Sequence, residues 1–245
     1  YAMDTPGCRF LLVSNMVEIR LYAVGHTRQV YERFEILELA DSDAAYQRFR
    51  LLLASENLLS GNTAMLLQES AQAEKEITQK LYTDYKTWRI NLLIALMQKT
   101  SQPAEALIEP VQKLLDRVLF IAFAEDRGLL PAKTLHHAYS HRDPYNPRPI
   151  WENFLGLFQA IDKGGATLGI PAYNGGLFSP DPVLEALPIA DDSCRMFDAL
   201  GNYDFTDEVS VTVLGHIFEQ SVSDLEKLKE LAGSEGFTLK ALEEQ

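Results

Sequence analysis

Apolar residues recur at helical spacing through most of the chain and are densest between residues 111 and 124. Within that range Val111, Leu114, Leu115 and Val118 lie three or four residues apart, and residues 118–124 are all apolar. A helix that is apolar on every side must lie inside a core. The pattern therefore predicts that this helix is the centre of the fold.

The end of this helix carries an unusual pair of acids. Gly128 can supply a left-handed cap, Leu129 can fold back on the last turn, and Pro131 prevents continuation. Glu125 and Asp126 thus fall in the last turn, where the helix dipole disfavours negative charge by roughly 0.3–1 kcal/mol each.

We expect a compensating group near these acids, and two interpretations remain open. Arg127 and neighbouring donors could complete a structural ion network, or Glu125 and Asp126 could be a metal-binding or catalytic carboxylate pair. We favour the structural interpretation because ion networks are commoner than active sites.

The N-terminal pattern differs, because it predicts strands. Residues 8–13 and 18–24 are two strand-like runs separated by a short turn, as in a hairpin. The first run is apolar on both faces, which is typical of a covered sheet, and an isolated hairpin is marginal in water. We expect this hairpin to be the last part of a larger sheet domain. The chain begins with Tyr1, and we expect it to be a segment of a longer protein.

Beyond residue 40 the pattern predicts helices almost throughout. One of them should begin at Asn62 and run to about Lys99 without a Gly or Pro, a rod on the order of 55 Å long. Its middle, residues 72–79, is mostly polar, which is typical of a strut; a coiled coil is the alternative. The predicted fold is mainly α: a multi-helix domain with a long strut helix in residues 41–245, preceded in residues 1–40 by a short β remnant and a linker.

Composition narrows the functional classes. The formal net charge of −13 argues against a surface built mainly to hold nucleic acid, although residues 1–50 carry six arginines against seven acids and are nearly balanced. The longest apolar run has about seven residues, against the roughly 20 that a membrane-spanning helix needs. Two cysteines fit a reducing compartment and exclude a disulfide framework, so we expect a cytoplasmic protein.

A glycine-rich loop is the second notable motif. Tyr173, Asn174, Gly175 and Gly176 are followed by Leu-Phe, and the Asn-Gly-Gly run permits positive φ angles and the close approach of another backbone. The loop lacks both phosphate-binding patterns. We expect a packed turn.

The histidines offer weaker signals. His137 and His141 are four apart, but the helix should end before His141, so a zinc site is disfavoured. His216 and Glu219 lie three apart on a predicted helix, and we expect a buried structural pair rather than an acid–base couple.

Four stretches together resemble one family, the fused restriction-modification enzymes of Type IIG and IIL, the MmeI-like class. The stretches are Phe-Leu-Leu-Val-Ser-Asn15 through Glu-Ile-Arg20-Leu-Tyr, residues 115–131 around Glu125-Asp126-Arg127, Tyr173-Asn174-Gly175-Gly176-Leu-Phe, and Leu-Gly-His216-Ile-Phe-Glu219-Gln-Ser. Their order and spacing extend over most of the chain.

The resemblance implies a protein in which an N-terminal endonuclease, a helical spacer and an adenine-N6 DNA methyltransferase follow one another. Residues 1–40 would be the end of the nuclease and a linker, and residues 41–245 the spacer. Such a parent, a phage-defence protein, would use S-adenosylmethionine and Mg²⁺ on double-stranded DNA. The present sequence has no Asn-Pro-Pro-Tyr motif and no glycine-rich cofactor loop, so the resemblance assigns it no catalytic, cofactor-binding or metal residue.

Two alternatives remain open. The chain could be a helical module that binds the DNA backbone through its N-terminal arginines and the Asn-Gly-Gly loop, or a metal-dependent hydrolase that uses Glu125, Asp126 and the histidines.

Overall fold

The protein is mainly α-helical, with a small antiparallel sheet near its N-terminus, as the sequence predicts. A computed structural model describes residues 7–24, 31–173, 175–203, 205, 211–233 and 242, without the side chains of residues 31, 71–75, 211–213 and 216. The strands are β1 (Phe10–Ser14), β2 (Glu18–Ala23) and β3 (Tyr31–Glu35). The helices are α1 (Ile36–Asp41), α2 (Asp43–Leu53), α3 (Ser55–Ser60), α4 (Asn62–Lys99), α5 (Ala104–Asp126), α6 (Thr134–Ser140), α7 (Ile150–Lys163), α8 (Pro182–Glu185), α9 (Asp191–Leu200) and α10 (Val211–Ala232). Among the described helices, none is both long and apolar enough to cross a membrane.

Packing divides the chain into two units, Tyr1–Glu76 and Ile77–Gln245. The division falls inside α4, so both units contain part of the longest helix. The domain boundary predicted near residue 40 separates the end of the nuclease and a linker from the spacer of the parent protein. It is a different division from this one, and it stays a prediction.

In the N-terminal unit, the three strands pair in the order β1-β2-β3, and all pairs are antiparallel. The small core of this unit consists of Leu21, Ala23, Phe34, Leu52 and Leu67. The edge strand β1 is different, because Leu11, Leu12 and Val13 are 39%, 53% and 48% exposed. Among the described residues, β1 thus presents apolar side chains and one backbone edge without a strand partner.

In the second unit α5 is the central helix, as its apolar sequence predicts. Most of its residues are buried, and it packs against α6, α8, α9 and α10. Aromatic side chains of α7 and α9 extend this core; the rings of Phe154 and Phe197 meet edge to face with centroids 5.2 Å apart.

Several local predictions are confirmed. α4 has the predicted extent, and the hairpin forms with strands at residues 10–14 and 18–23, against the predicted 8–13 and 18–24. Ser42 caps α2 by accepting a hydrogen bond from the Ala45 N–H, and Asp181 caps α8. Gly128 has a φ of 66° and follows the end of α5. The cap expected at Thr206 lies outside the described residues.

Other local features differ from the predictions. β3 was not predicted, because residues 25–40 have a mixed pattern of apolar and polar positions. Pro110 was expected to kink or break the helix, and it does not break it, because α5 continues through this position. A proline there removes one backbone hydrogen bond, and the buried residues on both sides hold the helix together. The N–H groups of Leu129 and Leu130 both donate to the carbonyl of Ala124, so the chain folds back on the last turn as expected. Of the two side chains, Leu130 is the buried one and Leu129 is exposed.

Candidate functional site

The two acids at the end of α5 bind main-chain N–H groups of other segments. Glu125 is buried, and its carboxylate accepts a hydrogen bond of 2.6 Å from the N–H of Leu135 in the first turn of α6. Burial raises the pKa of Glu125 to about 7, and the charges of Asp126 and Asp198 add to this rise, while the bond from Leu135 opposes it. Glu125 therefore holds α6 against α5 and is partly protonated near neutral pH.

Asp126 makes a matching contact on the other side of the helix end. Its carboxylate accepts a hydrogen bond of 2.8 Å from the N–H of Phe205. The guanidinium of Arg127 instead lies over the ring of Phe123, 5.4 Å from the ring centroid. The negative charges at the end of α5 are thus compensated by backbone N–H donors, whereas the sequence had led us to expect Arg127 in this role.

A buried cation in the middle of α5 holds the glycine-rich loop. The Nε–H of Arg117 donates to the carbonyl oxygen of Leu177, and one Nη2–H donates to that of Ser179, both at 2.7 Å. The guanidinium also lies 5.2 Å from the ring centroid of Phe158 and 5.8 Å from that of Phe178. Charge-assisted bonds to two carbonyls fix the loop on α5. Sequence reasoning missed Arg117, although its helical spacing from the apolar Leu114 and Ile121, which places it on their buried face, was an available signal.

Both flanks of the loop are packed. The ring of Tyr173 meets that of Phe120 edge to face at 5.5 Å, and its hydroxyl donates to the carbonyl of Leu129. Gly175 and Gly176 are exposed, and a Cβ on either would meet no atom within 4 Å. Asn174 lies outside the described residues.

A second polar cluster joins α4 to α5. Tyr85 donates its O–H to Asp116 at 2.6 Å, and the Gln112 amide donates to Asp116 and to the Tyr85 hydroxyl at 2.9 and 2.7 Å. Burial raises the pKa of Asp116, while these two hydrogen bonds lower it.

The same cluster reaches α10 through a fully buried arginine. Arg89 donates to the Oε1 of Gln112 at 3.0 Å and pairs with Asp224 at 3.3 Å. Tyr82 also donates to Asp224. Buried polar groups are costly unless they are paired, so this cluster favours one arrangement of the three helices.

Two candidate residues lie in the hairpin. The side-chain oxygen of Asn15 accepts hydrogen bonds from the N–H groups of Val17 and Glu18, at 3.0 and 2.8 Å, and so forms the turn. Arg20 pairs with Glu18 at 2.6 Å.

Two of the described histidines are neighbours, since the ring centroids of His136 and His137 lie 6.5 Å apart. His136 lies 2.9 Å from Asp198 and is exposed, the side chain of His216 lies outside the described residues, and Glu219 is exposed on α10. Over the ranges that the structure covers, no three His, Cys, Asp or Glu residues are placed to hold a metal ion. The structure therefore brings Glu125, Asp126, Arg127 and Tyr173 together around the end of α5, where Glu125 and Asp126 each accept a hydrogen bond from main chain and Arg127 and Tyr173 contact aromatic rings.

Comparison with known proteins gives one informative match. The chain is 28% identical over 151 residues to the Type II restriction enzyme and methyltransferase RM.Eco57I of Escherichia coli, and the match covers 59% of the chain. It spans 13% of the length of that relative. No protein-family model matches the chain, and no solved structure matches it. The similarity supports a broad relationship to the restriction enzyme–methyltransferases, while the finer resemblance to the MmeI-like class stays a prediction.

Proposed function

We propose that this chain is the helical connector of a DNA restriction-modification protein. It would position an N-terminal endonuclease relative to a C-terminal adenine-N6 methyltransferase, and it would carry out neither reaction itself. The parent would use S-adenosylmethionine and Mg²⁺ outside this segment.

The observation that carries the proposal is that the motif residues bind main-chain groups of this chain. Glu125 and Asp126 are acids of the kind that active sites use, yet here they accept hydrogen bonds from the backbone of Leu135 and Phe205. Arg117 likewise binds two backbone carbonyls. Residues that hold segments of one unit together suit a connector better than a catalytic domain.

Two further features support the proposal. The strand β1 exposes apolar side chains, and an exposed apolar edge invites pairing with a further strand, as in a larger sheet. α4 runs for 38 residues, which at 1.5 Å per residue gives about 57 Å of continuous helix. A helix of that length can act as a spacer.

The DNA-backbone alternative loses part of its support. Of the arginines near the N-terminus, Arg20 pairs with Glu18, Arg33 with Glu18 and Glu35, and Arg48 with Glu32. Paired arginines are less available to phosphates.

The first test compares the 245-residue chain with the longer protein. We expect the longer protein to bind S-adenosylmethionine in calorimetry and to methylate and cleave DNA, and the isolated chain to do none of these. Stoichiometric binding of S-adenosylmethionine by the isolated chain would overturn the proposal. Fluorescence anisotropy with duplex DNA in low and high salt tests the backbone-binding alternative, for which affinity should fall steeply with salt.

A further inference from the structure

The second unit contains a cavity of about 500 Å³ between α7 and the segment that includes Phe178 and Glu185. This volume is in the range of small-molecule sites. Its lining is unusually charged: it includes the cations Arg117, Arg148 and Lys163 and the carboxylates Glu152, Asp162 and Glu185.

Arg117 lines this cavity with donors to spare. It is only 1% exposed, and its Nε and Nη2 donate to two backbone carbonyls. Its Nη1 has no acceptor within the part of the chain that the structure describes. Burial lowers the pKa of Arg117, and the charges of Asp181, Glu185 and Asp162 oppose that effect only in part. A buried guanidinium with free N–H groups is suited to bind an oxyanion.

The other two cations, Arg148 and Lys163, form no salt bridge with a described carboxylate, and both are exposed at the cavity. The side-chain oxygen of Asn146 accepts hydrogen bonds from the Nε and Nη2 of Arg148 at 3.0 and 2.9 Å, which leaves the Nη1 of Arg148 for a ligand. Three cations without ion pairs therefore line one cavity.

The remaining lining narrows the ligand class. Glu152 and Asp162 would repel a bare, multiply charged anion, but they can accept hydrogen bonds from hydroxyl or amino groups of a larger ligand. Gly156 leaves room for such a ligand, since a Cβ there would meet no atom within 4 Å. In a helix interior Gly is less stabilising than Ala, and no packing contact in the described structure requires it at this position.

We propose that this cavity binds a nucleotide, with its phosphate on Arg117, Arg148 and Lys163 and its hydroxyl or amino groups facing Glu152 and Asp162. The nucleotide could be free or part of DNA. This inference does not depend on the connector function, because it rests only on the residues that line one cavity.

The test measures binding of three probes to the full chain: inorganic phosphate and deoxyadenosine monophosphate by calorimetry, and a short duplex DNA by anisotropy. We expect the mononucleotide to bind more tightly than phosphate. Lys163→Ala should weaken nucleotide binding about tenfold, as loss of a charge-assisted hydrogen bond would. Lys99→Ala is the matched control, because both lysines lie in the last turn of a helix, and it should leave binding unchanged.

Gly156→Gln provides an independent test, since it places a side chain in the cavity while favouring the helix. We expect it to abolish nucleotide binding without loss of helical circular dichroism. Tighter binding of the duplex than of the mononucleotide, with the same sensitivity to both variants, would support the proposal and identify DNA as the source. Absence of binding by every probe, equal affinities for phosphate and nucleotide, or equal effects of Lys163→Ala and Lys99→Ala would overturn it.

Discussion

Arg117 shows how a buried charge can be used to hold a loop. Its guanidinium lies 5.2 Å from the ring centroid of Phe158 and 5.8 Å from that of Phe178, and it binds the carbonyls of Leu177 and Ser179. These carbonyls belong to a turn, where no regular ladder supplies partners, and buried carbonyls without donors are costly. Arg117 thus replaces the backbone hydrogen bonds that a strand or helix would have provided.

We expect Arg117→Lys to destabilise the second unit by about 2–4 kcal/mol, because an ammonium cannot reproduce the planar fork that reaches both carbonyls. Urea denaturation followed by circular dichroism measures the change. Arg195→Lys, at an exposed position of α9, is the control and should change stability by less than about 0.5 kcal/mol. Equal effects of the two substitutions on stability would contradict the role of Arg117 in holding the loop.

Glu125 should make stability depend on pH. Its pKa rises from 4.5 to about 7 in the folded protein. Between these values the folded state binds more protons than the unfolded state, so stability falls as pH rises through this window. After allowance for solvent screening we expect a loss of about 1–2 kcal/mol between pH 4.5 and 8 from this group.

The variant Glu125→Gln isolates this contribution. A neutral amide oxygen can still accept the hydrogen bond from Leu135, but it does not titrate. We therefore expect the variant to be more stable than the wild type at pH 8 and nearly equal to it at pH 5, as measured by urea unfolding at both values. A difference of the same size at both pH values would show that the effect is not titration of Glu125.

At the scale of elements, the end of α5 is set by one backbone conformation. Gly128 has a φ of 66°, and a Cβ there would meet no atom within 4 Å, so Gly128→Ala tests the backbone alone. We expect it to cost about 1 kcal/mol. Gly156→Ala in the interior of α7 should instead stabilise by about 0.5–1 kcal/mol, because Ala is the better helix former. Thermal unfolding measures the change in stability of each variant. A change of the same sign in both would contradict the different backbone conformations assigned to Gly128 and Gly156.

The elements also show what sequence alone could predict. The hairpin, α4 and the core position of α5 follow from hydrophobic spacing and caps, which are local signals. β3 and the continuation of α5 through Pro110 depend on packing with distant residues, which a local pattern does not contain. The same limit applies to Glu125: its place at the end of a helix was predictable, whereas its partner Leu135 depends on how α6 returns to α5.

At the scale of the whole molecule, the central question is what α4 does. It contributes residues to both units, and its 38 residues include no Gly or Pro. Its buried polar contacts through Tyr85 and Arg89 lie in the second unit. The part before residue 77 is therefore the better place to change its length without breaking that cluster.

We expect the length of α4 to set the distance between recognition and cleavage in the longer protein. Seven residues inserted after residue 73 would lengthen the helix by about 10.5 Å and keep its faces nearly in register. This length corresponds to about three base pairs at 3.4 Å each. The cut, mapped by sequencing the ends of cleaved DNA, should move by about that number while the methylated base stays the same. The same insertion in the loop at residues 141–149 is the control and should leave the cut in place. A cut that stays in place with the longer α4, in an enzyme that still cleaves, would mean that this helix does not set the distance, and α4 would then be a part of the fold without a spacing role.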